Sequence, residues 1–222
     1  MAKYIIHACP QRMWYVNEFL IPSMKEQGIE DIVVECDTEQ VGNLEKCMQI
    51  FLRMDGYGSA WHMQDDVIIC RDFRERTEQF EPSRVVCGFA FNKDENFHFT
   101  GQVDPAKMWW SFPCIHIPNK LARGCAEWYY AKAKNDLKYK HWKRAGKFDD
   151  AFFKEYVVTL RPSTTVINLK PNLVDHIDYL IGGTTINEQR KDGKVSSGYF
   201  NDNDLVYELR GKIWLRNNNE TN

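Results

Sequence analysis

The sequence predicts an α/β protein, a single domain built on a mostly parallel sheet that is flanked by helices. Three observations carry this prediction. Short apolar runs, typical of buried strands, alternate with longer segments whose apolar residues recur at helical spacing. Charged residues directly follow several of the apolar runs, as they do at the carboxyl ends of parallel strands. The 222 residues, 43% of them hydrophobic, are also enough for a domain with its own core.

The first half of the chain alternates strand and helix without a break. Apolar runs rich in β-branched residues predict strands at 4–9, 31–37, 60–64 and 85–91. Helical spacing predicts helices at 14–27, 42–54 and 71–80, the first of them capped by Gly28. Such alternation places the strands parallel, with helices covering both faces of the sheet.

The second half of the chain is less regular. Its predicted elements are a polar loop at 92–113, a helix from Pro118 or Asn119 to about Lys134, a helix at 149–155, and strands at 157–160 and 164–169. After 172–176 the chain is predicted to be rich in turns. The domain is predicted to span 1–216 and to end in a disordered tail, 217–222.

Composition and charge exclude several classes of protein. The net charge of −2 disfavours a general polyanion binder, although residues 120–147 carry nine Lys or Arg and only two acids. Seven cysteines with no CxxC pair disfavour a disulfide framework or a zinc site, and favour a reducing cytoplasm. No apolar run is long enough for a signal peptide or a membrane span.

An adjacent pair of carboxylates, Asp65 and Asp66, lies between two apolar runs. Charged residues between buried segments are unexpected without a partner. A nucleotide diphosphate approaches carboxylates through a hard divalent cation, and Mg²⁺ or Mn²⁺ is satisfied by one or two carboxylates plus phosphate oxygens. The pair is therefore interpreted as a metal and nucleotide site. The alternative is that it caps a strand or the following helix.

Two later segments are candidates for the same chemistry. His176 follows an apolar pair and is a candidate Mn²⁺ ligand, unless it is a structural or surface histidine. Asp149 and Asp150 are candidates for the carboxylate that accepts a proton from an acceptor hydroxyl. The two acids also suit the N-terminus of the helix that follows them, because the helix dipole favours negative charge there.

Other polar and aromatic residues are candidate ligand contacts. Arg12 and Arg53 can pair bidentately with phosphate, or be ordinary surface arginines. Asp37 can accept a hydrogen bond from a ribose, or form a turn. Trp109 and Trp110 can stack on a sugar or base, or pack as a lid on the core.

The basic excess is interleaved with aromatic residues over 128–147. Basic side chains neutralise phosphates and aromatic rings stack on unpaired bases, so the segment suits single-stranded nucleic acid. It equally suits a solvated amphipathic helix whose aromatic residues face the core.

Taken in order, these motifs resemble the GT-A fold of nucleotide-sugar glycosyltransferases. The resemblance rests on Pro10-Gln11-Arg12 after the first strand, Asp37 after the second, and His62-Met63-Gln64-Asp65-Asp66-Val67 at the third. Four later segments also resemble family motifs. Residues 110–118 are similar to the acceptor-side segment, and 149–150 to the acid motif. Residues 171–176 are similar to the segment in which a Leu-Val pair precedes a metal-binding His, and 182–185 to a small-residue turn.

The resemblance implies a metal-dependent glycosyltransferase that uses Mn²⁺ or Mg²⁺. The implied residues are Asp66 and His176 for the metal, Pro10, Arg12, Asp37, Arg53 and Asp65 for the donor, Asp149 or Asp150 as base, and Trp109 and Trp110 for the acceptor. The implied donor is a nucleotide-sugar, with UDP-sugars favoured. The acceptor is a glycan, a protein or a hydroxylated base in DNA, with no membrane partner. Small cytoplasmic members of this kind are encoded by bacteria and their phages.

Two other function classes stay open from the residues alone. A nucleic-acid-binding module would use 128–147 and keep Asp65 and Asp66 as structural residues. A nucleotidyltransferase would also pair carboxylates with Mg²⁺, but no glycine-rich phosphate loop follows the first strand. Inversion and retention of the sugar configuration are equally open.

Overall fold

A seven-stranded sheet organises the chain in the computed structural model of the protein, which describes residues 3–54, 58–89, 100–105, 112–131, 135–137, 139–140, 149–181 and 200–219. The strands of this sheet are β1 Lys3–Ala8, β2 Ile32–Cys36, β3 Ser59–Gln64, β5 Val85–Cys87, β6 Gly101–Val103, β7 Cys114–Pro118 and β8 Val166–Asn168. Two more strands, β4 Val67–Ile69 and β9 Val174–His176, form a small separate sheet.

The strand order across the large sheet is β2-β1-β3-β7-β5-β8-β6. β1 is parallel to β2 and β3, and β5 is parallel to β8. β7 is antiparallel to both of its neighbours, and β6 is antiparallel to β8. Five strands therefore share one direction, and the mostly parallel α/β sheet predicted from the sequence is confirmed. The prediction missed β6, which lies inside the loop predicted at 92–113, and β7, whose five residues lie between that loop and a helix start.

Helices cover both faces of the sheet. They are α1 Met13–Tyr15, the π-helix Val16–Leu20, α2 Ile21–Glu26, α3 Asn43–Arg53, α4 Phe73–Thr77, α5 Asn119–Ala131, α6 Asp149–Leu160 and α7 Asn203–Asn219. Within the described ranges, none of these helices is both long and apolar enough to cross a membrane.

Successive residues of each strand feed two different cores, because side chains alternate across a sheet. Ile5 of β1 packs with α3, α5 and α6, whereas Ile6 packs with α2, α4 and α7. The sheet is thus buried on both sides, which explains why its strands appear as short apolar runs. The first helix ends as predicted at Gly28, whose φ of 74° is a left-handed conformation that favours glycine.

Two predictions for the second half are wrong. Residues 157–160 are the last turn of α6 and not a strand, because Tyr156 and Val157 are buried in the core and packing overrides the β-propensity of valine. The C-terminal region is helical through Asn219, so the predicted tail at 217–222 begins too early. The sequence conceals α7 because its apolar residues lie on two opposite faces.

Candidate functional site

The strand order of the sheet reverses at β1, which makes this strand a topological switch point. β2 lies on one side of β1 and β3 lies on the other. In open α/β sheets, ligands bind outside the carboxyl ends of the strands at such a switch point. Residues 9–12 follow β1 and the two carboxylates follow β3. The switch point therefore lies where the sequence predicts a site.

Arg12 bridges the two carboxylates. Its Nη1 lies 2.8 Å from Asp65 Oδ1 and 2.5 Å from Asp66 Oδ2, and the residue is only 6% exposed. Burial disfavours a charged guanidinium, but the charges of Asp66 and Asp65 outweigh burial and raise the pKa of Arg12. The side chain is a permanent buried cation, placed between the acids by the short 3₁₀-helix Pro10–Arg12.

Both carboxylate oxygens of Asp65 are engaged by the protein. Oδ1 accepts a hydrogen bond from Arg12, and Oδ2 accepts one from the backbone N–H of Cys9 at 2.7 Å. Burial and the neighbouring charge of Asp66 raise the pKa of Asp65, while Arg12 lowers it. Asp65 thus fixes the turn after β1 and the orientation of Arg12.

The small sheet brings His176 to Asp66. Val67 of β4 pairs with His176 of β9, and the carbonyl of Asp66 accepts a hydrogen bond from the N–H of Ile177 at 2.8 Å. As a result His176 Nε2 lies 3.1 Å from Asp66 Oδ2, and Nδ1 lies 3.4 Å from Asp178 Oδ1. Two segments far apart in the sequence therefore meet at one carboxylate.

The proton affinities of this pair move in opposite directions. Burial raises the pKa of Asp66, but His176 and Arg12 outweigh it, so the pKa lies well below its usual range. Burial lowers the pKa of His176, but Asp66 and then Asp178 outweigh it and raise the pKa. Asp66 is therefore ionised at neutral pH.

The residues present fit a divalent metal ion at Asp66 and His176. Asp66 Oδ1 is buried and has no hydrogen-bond partner in the part of the chain that the structure describes. One carboxylate and one imidazole leave coordination positions for waters and phosphate oxygens, as Mg²⁺ and Mn²⁺ require. Among the described residues there is no cluster of three or more side chains that forms a complete metal site. Solvent or substrate would have to supply the remaining ligands.

Asp37 lies at the same edge of the sheet, directly after β2. Its Oδ1 and Oδ2 accept hydrogen bonds from the backbone N–H groups of Val41 and Gly42, each at 3.0 Å. These contacts hold the loop that leads into α3. The described contacts of Asp37 therefore agree with the alternative in which this residue forms a turn.

Two of the predicted donor contacts, Arg53 and Pro10, lie outside the buried group of Arg12, Asp65 and Asp66. Arg53 is the last residue of α3, the helix that returns the chain to the opposite edge of the sheet. Its Nη2 lies 3.1 Å from Glu35 Oε2, and its side chain is 54% exposed. Pro10 is an exposed residue that begins the 3₁₀-helix leading to Arg12.

Asp149 and Asp150 begin α6 at the carboxyl edge. α6 precedes β8 and returns the chain to the opposite edge, so its first residues lie at the edge that also holds Asn43, the start of α3. Burial and then Asp150 raise the pKa of Asp149 to about 7, although a hydrogen bond from Asn43 opposes them. Asp149 Oδ2 is buried and has no hydrogen-bond partner among the described residues, whereas Asp150 Oδ1 accepts from the N–H of Ala151 at 2.6 Å.

The sequence analysis missed a pair of buried histidines beside this site. His7 of β1 and His62 of β3 face the same core, with ring centroids 5.6 Å apart. Burial lowers the pKa of His7 to about 4, and that of His62 lies well below its usual range. Both rings are neutral at pH 7. Alternation in the two strands is the signal that places these residues on one face.

Several predicted contacts lie outside the described residues. They are Trp109, Trp110, the turn at 182–185 and most of the basic residues between 132 and 147. Of the aromatic residues in that region, Tyr129 is buried and its hydroxyl donates to Glu45 Oε2 at 2.9 Å. Trp128 stacks on Phe152 with ring centroids 4.9 Å apart. These two rings pack against the core, as the amphipathic-helix alternative requires.

Comparisons with known proteins provide little support for any one family. No family model and no curated protein matches the chain. Among solved structures, the chain is similar to the crystal structure of A197 from STIV, with 17% identity and a TM-score of 0.45. The match covers 79% of this chain and 85% of that one. At this level of similarity the neighbour does not establish an activity for this chain.

Proposed function

We propose that the protein is a glycosyltransferase that moves a sugar from a nucleotide-sugar to a hydroxyl acceptor, on a GT-A-like fold. The observation that carries this proposal is the buried group at the β1–β3 switch point. There Asp66, with one oxygen unpaired among the described residues, contacts both His176 and Arg12. Such a group suits a diphosphate held next to a cation at the carboxyl edge of an α/β sheet.

Each residue of the group has a distinct role in the proposal. Asp66 and His176 would hold Mn²⁺ or Mg²⁺, which when bound stabilises the charge of the departing diphosphate. Arg12 keeps a positive charge in contact with both carboxylates and orients Asp66. Asp65 holds Arg12 and the N–H of Cys9, so it positions the donor site without contacting the metal.

Asp149 is the proposed base for the acceptor hydroxyl. A general base works best when its pKa lies near the operating pH, and burial raises the pKa of Asp149 to about 7. Its Oδ2 has no hydrogen-bond partner in the described part of the chain, which supports an acceptor-side role, whereas Asp150 Oδ1 accepts from the N–H of Ala151, the third residue of α6. A base of this kind belongs to an inverting transfer.

The donor and acceptor stay proposals at the level of chemical class. A UDP-sugar is the proposed donor, and a hydroxyl of a glycan, a protein or modified DNA is the proposed acceptor. A cytoplasmic location is proposed because five of the seven cysteines are buried free thiols, which suit a reducing compartment.

The direct test measures the binding of Mn²⁺ and nucleotides to wild type and to Asp66→Asn, by calorimetry and by thermal shift. Asn preserves the shape of Asp66 but removes the charge that a metal needs. The matched control is Asp31→Asn, because Asp31 lies at the opposite edge of the sheet and is half exposed. We expect wild type and the control to bind Mn²⁺ and one nucleotide together, and the Asp66 variant to lose both.

Turnover of the bound nucleotide separates the proposal from its alternatives. Release of a nucleoside diphosphate supports sugar transfer, whereas release of pyrophosphate indicates nucleotidyl transfer. If folded wild type binds no nucleotide in the presence of Mn²⁺ or Mg²⁺, the glycosyltransferase proposal is wrong. Salt-sensitive binding of single-stranded nucleic acid by both variants would then favour the binding module.

A further inference from the structure

The C-terminal helix α7 presents apolar residues on two opposite faces. Leu209 and Ile213 are buried in the core on one face of the sheet, at 5% and 6% exposure. Tyr207, Trp214 and Leu215 are 71%, 64% and 56% exposed. A helix that is apolar on both faces needs a partner on each face. The core of the protein supplies only one of them.

Ion pairs hold α7 in a fixed orientation on the protein. Arg216 Nε lies 3.0 Å from Glu18 Oε2, and its guanidinium lies 4.5 Å from the centroid of the Trp14 ring. At the other end, Arg71 Nη2 lies 2.6 Å from Asp204 Oδ2. The apolar outer face is therefore displayed by an anchored helix.

A glycine lies in the middle of the exposed face. Tyr207, Gly211, Trp214 and Asn218 follow each other at intervals of four, three and four residues, so they form one seam along the helix. A Cβ added at Gly211 would meet no atom within 4 Å. Glycine weakens a helix interior relative to alanine. No contact within the described chain requires a glycine here, and the missing side chain leaves a recess in the exposed face.

We propose that the outer face of α7 binds the α7 helix of a second copy of this chain, in an antiparallel pair about a two-fold axis. The seam carries a protrusion, Trp214, and a recess, Gly211, three residues apart. A two-fold axis between them places each Trp214 in the recess of the other copy, which is the self-complementarity that a two-fold interface requires. In the same register Arg210 faces Leu215, and Glu208 faces Asn217, so no like charges oppose each other.

The exposed area suits a small, reversible dimer. A fully buried Tyr or Trp contributes about 150–250 Å², and Tyr207 and Trp214 are 71% and 64% exposed, so the four aromatic residues of a pair bury roughly 400–700 Å² more. With the two Leu215 side chains the total stays in the range of weak, transient interfaces, below roughly 1,200 Å². A lipid surface fits this face less well, because acidic Asp204 and Glu208 border its N-terminal half.

The test is the mass of the full chain in solution, by light scattering and sedimentation at concentrations up to roughly 100 µM. Wild type is expected at about twice 26.2 kDa. Trp214→Glu and Gly211→Leu are expected to halve the mass, the first by removing the protrusion and the second by filling the recess. Gly211→Leu also removes a helix-weakening residue, so its thermal midpoint serves as a check that the chain is folded.

Leu137→Glu is the matched control, because Leu137 is 82% exposed and does not belong to α7. We expect this variant to keep the mass of wild type. A monomeric wild type would overturn the proposal, as would a dimer that survives both α7 substitutions. Binding of monomeric wild type to anionic vesicles, lost in Trp214→Glu, would show that the face binds lipid instead.

Discussion

A single buried arginine balances the charges at the centre of this site. Arg12 contacts both Asp65 and Asp66, and all three residues are at most 6% exposed. Removing one member of such a group leaves uncompensated charge in a medium that solvates it poorly. The stability of the β1–β3 edge and the chemistry proposed for it therefore depend on the same guanidinium.

Replacing Arg12 is expected to destabilise the protein strongly. Arg12→Met keeps the aliphatic stem and removes the charge, and we expect a loss of about 3–5 kcal/mol in the free energy of unfolding by urea. Arg53→Met is the control, because that arginine is 54% exposed in its pair with Glu35 and should cost at most about 1 kcal/mol. Equal losses in the two variants would contradict the role given to Arg12.

Asp149 is expected to make stability depend on pH. Its pKa rises from 3.8 in a model peptide to about 7 in the folded chain. Between these values the folded state binds more protons than the unfolded state, so the free energy of unfolding falls as pH rises from about 4 to 7. Asp149→Asn removes this titration.

The measurement is urea unfolding of wild type and Asp149→Asn at pH values from 4 to 8. Asn resembles the protonated acid, so we expect similar stabilities near pH 4 and a variant more stable by roughly 4 kcal/mol near pH 8. His176 also has a raised pKa, and its contribution is lost as pH rises above 6.5, but this occurs in both proteins and cancels. Parallel pH curves would show that Asp149 is not perturbed.

At the scale of elements, α6 is attached to the fold by one aromatic side chain in particular. The ring of Phe153 lies 5.8 Å from that of Phe51 in α3 and 5.4 Å from that of Phe112 before β7. This packing sets the height of α6 on the sheet, and thus the position of Asp149 four residues earlier.

Truncating Phe153 is therefore expected to affect both stability and the site. Phe153→Ala should cost about 3–5 kcal/mol in the free energy of unfolding, because the residue is fully buried. Leu160→Ala, in the same helix but 41% exposed, should cost less than about 1 kcal/mol. Thermal unfolding of both variants checks the difference. A small loss of stability in Phe153→Ala would show that other contacts hold α6 on the fold.

The end of the first helical segment depends on a backbone conformation. Gly28 has a φ of 74°, and a Cβ there would also meet Arg74 Nη1 at 2.3 Å. Arg74 is flexible, so the backbone conformation decides the outcome. We expect Gly28→Ala to cost about 1 kcal/mol or more in unfolding by urea. Gly211→Ala, in the interior of α7, is expected to be neutral or stabilising for the monomer. Equal changes in stability for Gly28→Ala and Gly211→Ala would argue against Gly28 as the cap of the first helical segment.

At the scale of the whole molecule, no disulfide constrains the fold, since all seven cysteines are free. Five of them are buried, and Cys9 and Cys36 are only half-buried. We expect a thiol reagent to modify at most these two cysteines in the native protein, and all seven after unfolding. Reductant should leave the thermal midpoint unchanged. Rapid native modification of a third thiol would show that a core opens readily.

The sequence predicted the elements of the first half well, because each obeys one pattern. β1, β3 and α3 show the strand or helix spacing of buried segments, and Gly28 marks the end of a helix. The second half was harder, because β7 is short, residues 157–160 combine β-branched residues with helical packing, and α7 is apolar on both faces. Local patterns fail where an element is chosen by its tertiary partners.

By itself the sequence determined the α/β class and the parallel first half, because these features depend on spacing along the chain. Only the tertiary structure decided that Arg12 lies between Asp65 and Asp66, and that His176 reaches Asp66 through the pairing of β4 with β9. Contacts between distant segments depend on strand order and register, which no local pattern specifies.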